Sequence, residues 1–458
     1  MKERPIQTGA ESPDTVPASL LAGASFPLPE GWHADEVTGL LLRDTVQSML
    51  RRRNGWNYKG PGLYMITLTL ADRSCGWLGE LEVKALGSKF PSTGVSAREL
   101  ARGCFPDLPS PADCRIALTP LGEAVAAVWR EITTNWPGVE ALDLQVMPEH
   151  LHGIIRVVTP QRHPLGQIVG SFKARATGKA KALVEALGSK LPSTGAGARE
   201  LARGCLPPPL LAGGSLWAEG FNDSILWTDE RRARATHYLK TNPYRLAIKR
   251  LFPELFKVSR DLEVDLDEGR VGHFSAIGNH FLLETPILAQ VQCSRSFFAY
   301  RRDKRGRLLK DEPPVVETAE FQEKWALASK LASTGAALVS PCISEGEREI
   351  ARRAFEAGYK VITLANKGFS PLYKPGGKLF ETCAEGNLLM LAPANWPYQP
   401  GEKKMTRADA LTLNQLASWI VGTREGTRKQ ASEHSARRHY RGAVVADVEK
   451  LALEAVGA

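Results

Sequence analysis

Apolar and polar positions alternate most clearly at Leu63-Tyr64-Met65-Ile66-Thr67-Leu68-Thr69-Leu70, which predicts a half-buried strand. Ahead of it, residues 1–50 are rich in Pro, Ser, Gly and Ala and read as a partly disordered extension, with one helical stretch near Thr38–Arg53. Leu121–Ile132 has helical periodicity behind Pro120, a favoured first-turn residue. Leu142–Met147 and Leu151–Val158 read as strands around Pro148, and Gly166–Ala186 returns to helical spacing. Thr228–Asn242 is predicted as a further helix: Thr228 caps it, Asp229 and Glu230 suit its positive end, and Pro243 stops it. Strand and helix thus alternate to about residue 260, which predicts an α+β domain over 51–260.

Over residues 261–423 the pattern changes. Phe281–Val291 is strand-like, and Ala336–Val339, a small-residue loop Ser340–Gly346, a helix Glu347–Ala357 and a strand Lys360–Ala365 follow as a βαβ run. A loop of this kind, at the carboxyl end of a strand and opening into a helix, is where α/β sheets hold phosphates. Residues 424–458 form a basic tail, with Arg424, Arg428, Lys429, Arg437, Arg438 and Arg441, expected to be loosely ordered and to touch DNA.

A repeat interrupts the first of these regions twice. Lys84–Pro106 and Glu185–Pro207 match at 18 of 23 aligned positions, and a shorter copy occurs at Ala326–Ala336. The copies are dispersed rather than tandem, so a solenoid is excluded. Their Pro, Gly and Ser content suits surface insertions near 84–111 and 185–213, read as translated copies of a mobile DNA repeat; long surface loops cost little closure entropy. Duplicated functional loops are the alternative.

Composition narrows the partners. The chain has 458 residues, enough for two or three domains, with 43% hydrophobic and 24% charged residues. Seven cysteines without a CxxC pair argue against a disulfide framework and a zinc finger, so a reducing, cytoplasmic location is expected. No apolar run approaches the ~20 residues that span a bilayer, and Leu20–Leu21 is too short for a signal-peptide core, so no membrane partner is expected. The net charge is +9, yet residues 161–260 alone hold 17 Lys and Arg against 7 Asp and Glu. That concentration reads as a phosphate-backbone footprint, although any single cation there equally serves a solvated helix face.

Candidate chemistry centres on Met147-Pro148-Glu149-His150-Leu151-His152-Gly153. At a strand period of two, His150 and His152 point to one face, ~7 Å apart along the strand, and can converge on one divalent cation. A satisfied histidine pair has the same spacing. On the predicted helix Thr228–Asn242, Tyr238 and Asn242 are four residues apart and share a face. Asn242 would complete a His/His/Asn site beside the Tyr238 phenol; the alternatives are a core tyrosine and a helix cap before Pro243.

MPEHLHGIIRV, PLGQIVGSFKARAT, LWAEGFNDSIL and HYLKTNP, in that order, resemble the single-tyrosine HUH transposases, and among them the REP-associated tyrosine transposases. NGWNYKGPGLYMITLTLADR and TPLGEAVAAVW are similar to that family's first strand and first helix. With the two repeats excised, the resemblance covers residues 50–250. It implies an HUH-type nuclease domain, an antiparallel sheet with packed helices, with His150, His152 and Asn242 as metal ligands and Tyr238 as nucleophile. Asp223 matches an acidic position of the family, while Ser224 stands where a histidine is common. The stretch Ala337–Pro393 resembles the Rossmann-like fold of DNA-processing protein A and its nucleotide-binding SLOG relatives, which implies that Ser344, Glu345 and Gly346 line a nucleotide or DNA-backbone site; a structural Rossmann-like module with no ligand is the alternative.

The implied function is a transposase or single-strand DNA endonuclease that cleaves and rejoins hairpin-containing single-stranded DNA through a 5′-phosphotyrosine, with Mg2+ or Mn2+ as cofactor. Lys173, Arg175, Arg231 and Arg234 are candidates for backbone contacts or for stabilising the phenolate. Phe172, Trp217 and Phe221 either stack on unpaired bases or pack in the core. A homodimer is compatible with this reading. The alternative is a non-catalytic DNA- or nucleotide-binding protein whose nuclease fold has decayed after repeat insertion. A zinc deaminase and a P-loop motor are excluded, since HxE with PCxxC and GxxxxGK[ST] are missing.

Overall fold

The computed structural model describes Arg53, residues 55–84, 108–189, 214–422 and 451–457 apart from a few single positions, and three short strands ahead of residue 44. Those strands, Val16–Pro17, Trp32–Ala34 and Leu40–Arg43, form an antiparallel sheet. Leu40–Arg43 is therefore a strand where a helix near Thr38–Arg53 was predicted; a short apolar run such as Leu40-Leu41-Leu42 carries no period that separates the two. Most of the two longer repeat copies, and the tail over 423–450, lie outside the described residues.

The described chain divides into two compact units, one of residues 55–84 and 109–247, the other of 248–422 and 451–457. The first holds the strands β1 (Gly62–Thr69), β2 (Gly79–Val83), β3 (Cys114–Leu118), β4 (Val139–Val146), β5 (His150–Val157) and β6 (Asn222–Ile225). Its helices are α1 (Pro120–Asn135), α2 (Leu165–Ser189) and most of α3 (Asp229–Leu251). The strands β4-β5-β1-β6 make one antiparallel sheet in that order, and β2 pairs with β3.

The alternation of β1 is read out literally. Tyr64, Ile66 and Leu68 join Leu151, Ile155 and Val157 of β5 in a core shared with α1 and α2. Thr119 caps α1 by accepting the Gly122 N–H at 3.1 Å. Gly153 is a packing glycine: a Cβ there would stand 2.3 Å from the Trp129 ring, so its absence lets α1 lie on the sheet. On the opposite face, Met65 and Leu63 meet Ile154 and the α3 residues Ala235, Tyr238 and Leu239.

Helix α3 does not stop at Pro243 but runs through it to Leu251. An interior proline costs about 3 kcal/mol by removing one helical hydrogen bond. Burial of Tyr244, Ala247, Ile248 and Leu251 beyond it outweighs that loss. Asn242 is consequently an interior helical residue, not a cap.

The second unit holds a six-stranded sheet of β7 (Ser259–Asp265), β8 (Val271–Gly278), β9 (Leu288–Gln290), β10 (Ala337–Ser340), β11 (Val361–Leu364) and β12 (Leu388–Pro393). The order is β7-β8-β12-β11-β10-β9; β9 to β12 are parallel, while β8 is antiparallel to both its neighbours. The connecting helices are α4 (Ala319–Ser333), α5 (Glu345–Glu356) and α6 (Lys378–Ala384), followed by α7 (Arg407–Gly422). Of the predicted strand Phe281–Val291 only Leu288–Gln290 pairs, because His280–Glu284 turns as a 3-10 helix. The chain is thus of mixed α and β structure.

The third repeat copy is not a surface loop. It forms the second half of α4, with Ala328 and Ala332 buried, and ends where Gly335 takes a φ of 96°. The longer copies have Gly87 and Pro91, or Gly188 and Pro192, at these two positions, residues that weaken or break a helix. Residues 451–456 of the predicted loose tail are likewise helical, and Ala452 and Val456 join the core of this unit.

Candidate functional site

Strand register builds the first part of the site. On β1, Thr69 and Thr67 stand opposite His150 and His152, so all four side chains share the face that α3 covers. The two imidazoles lie edge to face with ring centroids 4.8 Å apart. His152 is 1% exposed, and its Nδ1 is 2.8 Å from Thr67 Oγ1. With the proton on Nδ1 and donated to that hydroxyl, Nε2 presents its lone pair, the arrangement in which a hydrogen-bonded neighbour orients a metal-binding histidine. His150 is partly exposed, and Glu149 Oε1 lies 4.0 Å from its Nδ1.

Helix α3 supplies the rest. The Tyr238 ring stands edge to face with His152 at 5.3 Å between centroids. The Arg245 guanidinium lies over the same tyrosine ring at 5.4 Å. Arg245 was not among the cations singled out from sequence; its i,i+7 spacing from Tyr238, two helical turns, is the signal that finds it. Asn242, one turn beyond Tyr238, is 7% exposed, and its Nδ2 atom has no hydrogen-bond partner among the described residues. Amide N and O positions are interchangeable by a flip, so the same buried position equally presents a carbonyl oxygen to a cation. Two imidazoles and one amide oxygen would make a neutral donor set of the kind that takes a divalent ion. Among the described residues no cluster of three or more His, Cys, Asp or Glu is placed to hold a metal ion.

The other residues singled out are distributed differently. Phe172 and Trp217 are each 2% exposed and pack in the sheet–helix core, where Phe172 meets Trp129 edge-on at 5.4 Å. Rings so enclosed have no face to offer a base, and of the two roles open to them packing is the one they fill. Phe221 is half-buried against the same core. Lys173 donates to the carbonyls of Ala218 and Gly220 at 2.7 and 3.0 Å, tying down the segment before β6, and burial holds its ammonium below the usual lysine range. Arg175 is ion-paired with Glu131. Arg231 and Arg234 are exposed on α3. On β6, Asn222 and Ser224 pair with Thr67 and Met65 and share the histidine face, whereas Asp223 pairs with Ile66 on the other.

In the second unit, Ser344, Glu345 and Gly346 are engaged within the fold. Ser344 caps α5 by accepting the Glu347 N–H at 3.0 Å. Glu345 accepts the Tyr300 N–H at 2.8 Å and pairs with Arg302. Gly346 lies so close to Cys293 that a Cβ would stand 2.4 Å from its Sγ. The Glu347 carboxylate accepts the backbone N–H of Ile343 at 2.7 Å, of Ser344 at 3.3 Å and of Cys293 at 3.4 Å. A carboxylate of the chain itself therefore sits where a phosphate would be expected at this helix start.

Among the described residues no helix is long and apolar enough to cross a membrane. No family model and no curated protein matches the chain. Among solved structures, a REP-associated tyrosine transposase bound to a REP hairpin is similar with a TM-score of 0.23 and 12% identity, over 43% of this chain and 74% of its own. A candidate transposase of Deinococcus radiodurans R1 is similar with a TM-score of 0.18 and 16% identity, over 41% of this chain and 95% of its own.

Proposed function

We propose that this chain cleaves and rejoins single-stranded, hairpin-containing DNA through a covalent 5′-phosphotyrosine at Tyr238. The observation that carries the reading is the meeting of Tyr238 with His152 at 5.3 Å, with His150 a further 4.8 Å on, at a place where strand register and helix spacing converge. His150, His152 and Asn242 would hold the Mg2+ or Mn2+, which when bound neutralises charge on a non-bridging oxygen of the scissile phosphate.

The remaining chemistry belongs to side chains. Thr67 Oγ1, 2.8 Å from Nδ1, holds the ring plane of His152. Tyr238 Oη forms a bond to phosphorus as the bond to the 3′ oxygen breaks, and that oxygen takes a proton and leaves as a hydroxyl. The phosphodiester is conserved as the phosphotyrosine ester, so attack by another 3′ hydroxyl reverses the step and joins strands. A free phenol ionises near ~10, and the Arg245 cation lies over the Tyr238 ring at 5.4 Å.

A nicking assay on a labelled hairpin oligonucleotide, with Mn2+ or Mg2+ and then with excess chelator, tests this. Metal-dependent product with protein attached is expected. Binding without any nicking at either metal would instead establish the non-catalytic alternative.

A further inference from the structure

An aromatic and cationic platform joins Arg231, already a candidate for backbone contact, to residues not so far assigned to DNA. Trp227, between β6 and the first turn of α3, is 46% exposed, and it is the one tryptophan among those with described side chains that is exposed. Two guanidiniums flank its ring: Arg231 at 4.4 Å and Arg53 at 4.7 Å from the centroid. Trp56 lies 6.3 Å away, tilted by 49°, and is braced by a 3.0 Å hydrogen bond from its Nε1 to Tyr64 Oη. Among the described residues neither Arg53 nor Arg231 makes an ion pair.

We infer that Trp227 is a stacking platform for an unpaired base of single-stranded DNA, with Arg53 and Arg231 on the adjoining phosphates. This rests on the DNA-cleaving reading and extends it to the path of the strand. Positions 227, 231, 234 and 238 follow one another at steps of four, three and four, so Arg231, Arg234 and Tyr238 lie along one side of α3. At 1.5 Å per helical residue, Arg231 lies roughly 10 Å upstream of Tyr238, a span of roughly three stacked nucleotides at 3.4 Å each, with Trp227 beyond the helix start. Stacking tolerates any base because each has a π face, while guanidiniums beside the ring supply the backbone charge term. A duplex offers no unpaired face to the same ring. The platform therefore selects single strands next to a hairpin stem over the stem itself.

The test is fluorescence anisotropy of the full chain with a labelled, unstructured 20-nucleotide strand and with a blunt duplex of the same sequence. Trp227→Ala is expected to weaken single-strand binding roughly 5- to 150-fold and to leave duplex binding within about twofold, whereas Trp227→Phe keeps single-strand binding near wild type. Unchanged single-strand affinity in Trp227→Ala, equal losses for strand and duplex, or no single-strand binding by the wild type overturns the inference. Binding is read separately from cleavage. Trp227-dependent binding without nicking keeps this inference and removes the cleavage reading, whereas nicking with no Trp227 dependence does the reverse.

Discussion

Two places in this chain gather polar groups where strands meet a helix, and they leave those groups in opposite conditions. At the turn from β10 into α5, the cap Ser344, the carboxylate of Glu347 and the N–H groups of Ile343, Ser344 and Cys293 bond to one another. The Tyr300 hydroxyl donates to Glu349 at 2.6 Å, and Arg352 and Arg353 pair with the same carboxylate. Where β5 meets α3, by contrast, one face of the His152 ring system is organised by Thr67 while the buried amide of Asn242 keeps an unmatched atom. A buried polar group left in that state costs about 1–3 kcal/mol. The first arrangement is closed on itself; the second leaves a buried amide atom without a hydrogen-bond partner among the described residues.

That contrast can be broken by substitution. The largest effect is expected at the histidines. His152→Ala should reduce metal-dependent nicking to background while leaving duplex binding intact, and retention of more than a tenth of the activity would return the histidines to a packing role. Thr67→Val keeps the shape but removes the group that orients His152. A loss of about 10- to 100-fold in nicking, or a matching rise in the metal concentration needed, is expected, as for other partners of metal-binding histidines. An unchanged metal requirement would mean that Thr67 does not orient His152.

The smallest effect belongs to the closed turn and shows as a pH dependence. Burial pushes the Glu347 carboxyl above its ordinary 4.5, against the N–H groups that favour its anion. The folded state thus prefers the protonated acid more than the unfolded chain does. Its stabilising contribution is complete below the ordinary value and is lost as pH rises through the raised one. In Glu347→Gln the charge cannot form, so the stability of the variant relative to wild type should improve as pH rises above 4.5 in thermal unfolding followed by circular dichroism. A difference that stays flat with pH would contradict the burial of a titrating acid there.

Much of the site was legible in the chain because it obeys two short periods. The alternation through His150-Leu151-His152 placed both imidazoles on one face, and the four-residue step placed Tyr238 and Asn242 on another. The meeting of Tyr238 with His152 was not legible, since it depends on α3 lying over one face of the sheet and not the other. Phe172 and Trp217 were open to two roles because an aromatic pattern does not state depth, and the structure encloses both. Trp227 was missed for the converse reason: a tryptophan ahead of a helix cap has the pattern of a core residue, yet it stands at the surface between two arginines. Pro243 read as a stop because local propensity says so, while four buried residues beyond it carry the helix on. The third repeat copy became a helix through two alanines at positions where its relatives have glycine and proline.

The measurement that bears most directly on the account is peptide mapping by mass spectrometry after incubation with a metal ion and a cleavable single-stranded hairpin. The predicted result is one adduct, a 5′-linked oligonucleotide on the peptide that contains Tyr238, absent from Tyr238→Phe. Cleaved DNA with no attached peptide, or an adduct on any other residue, would contradict it.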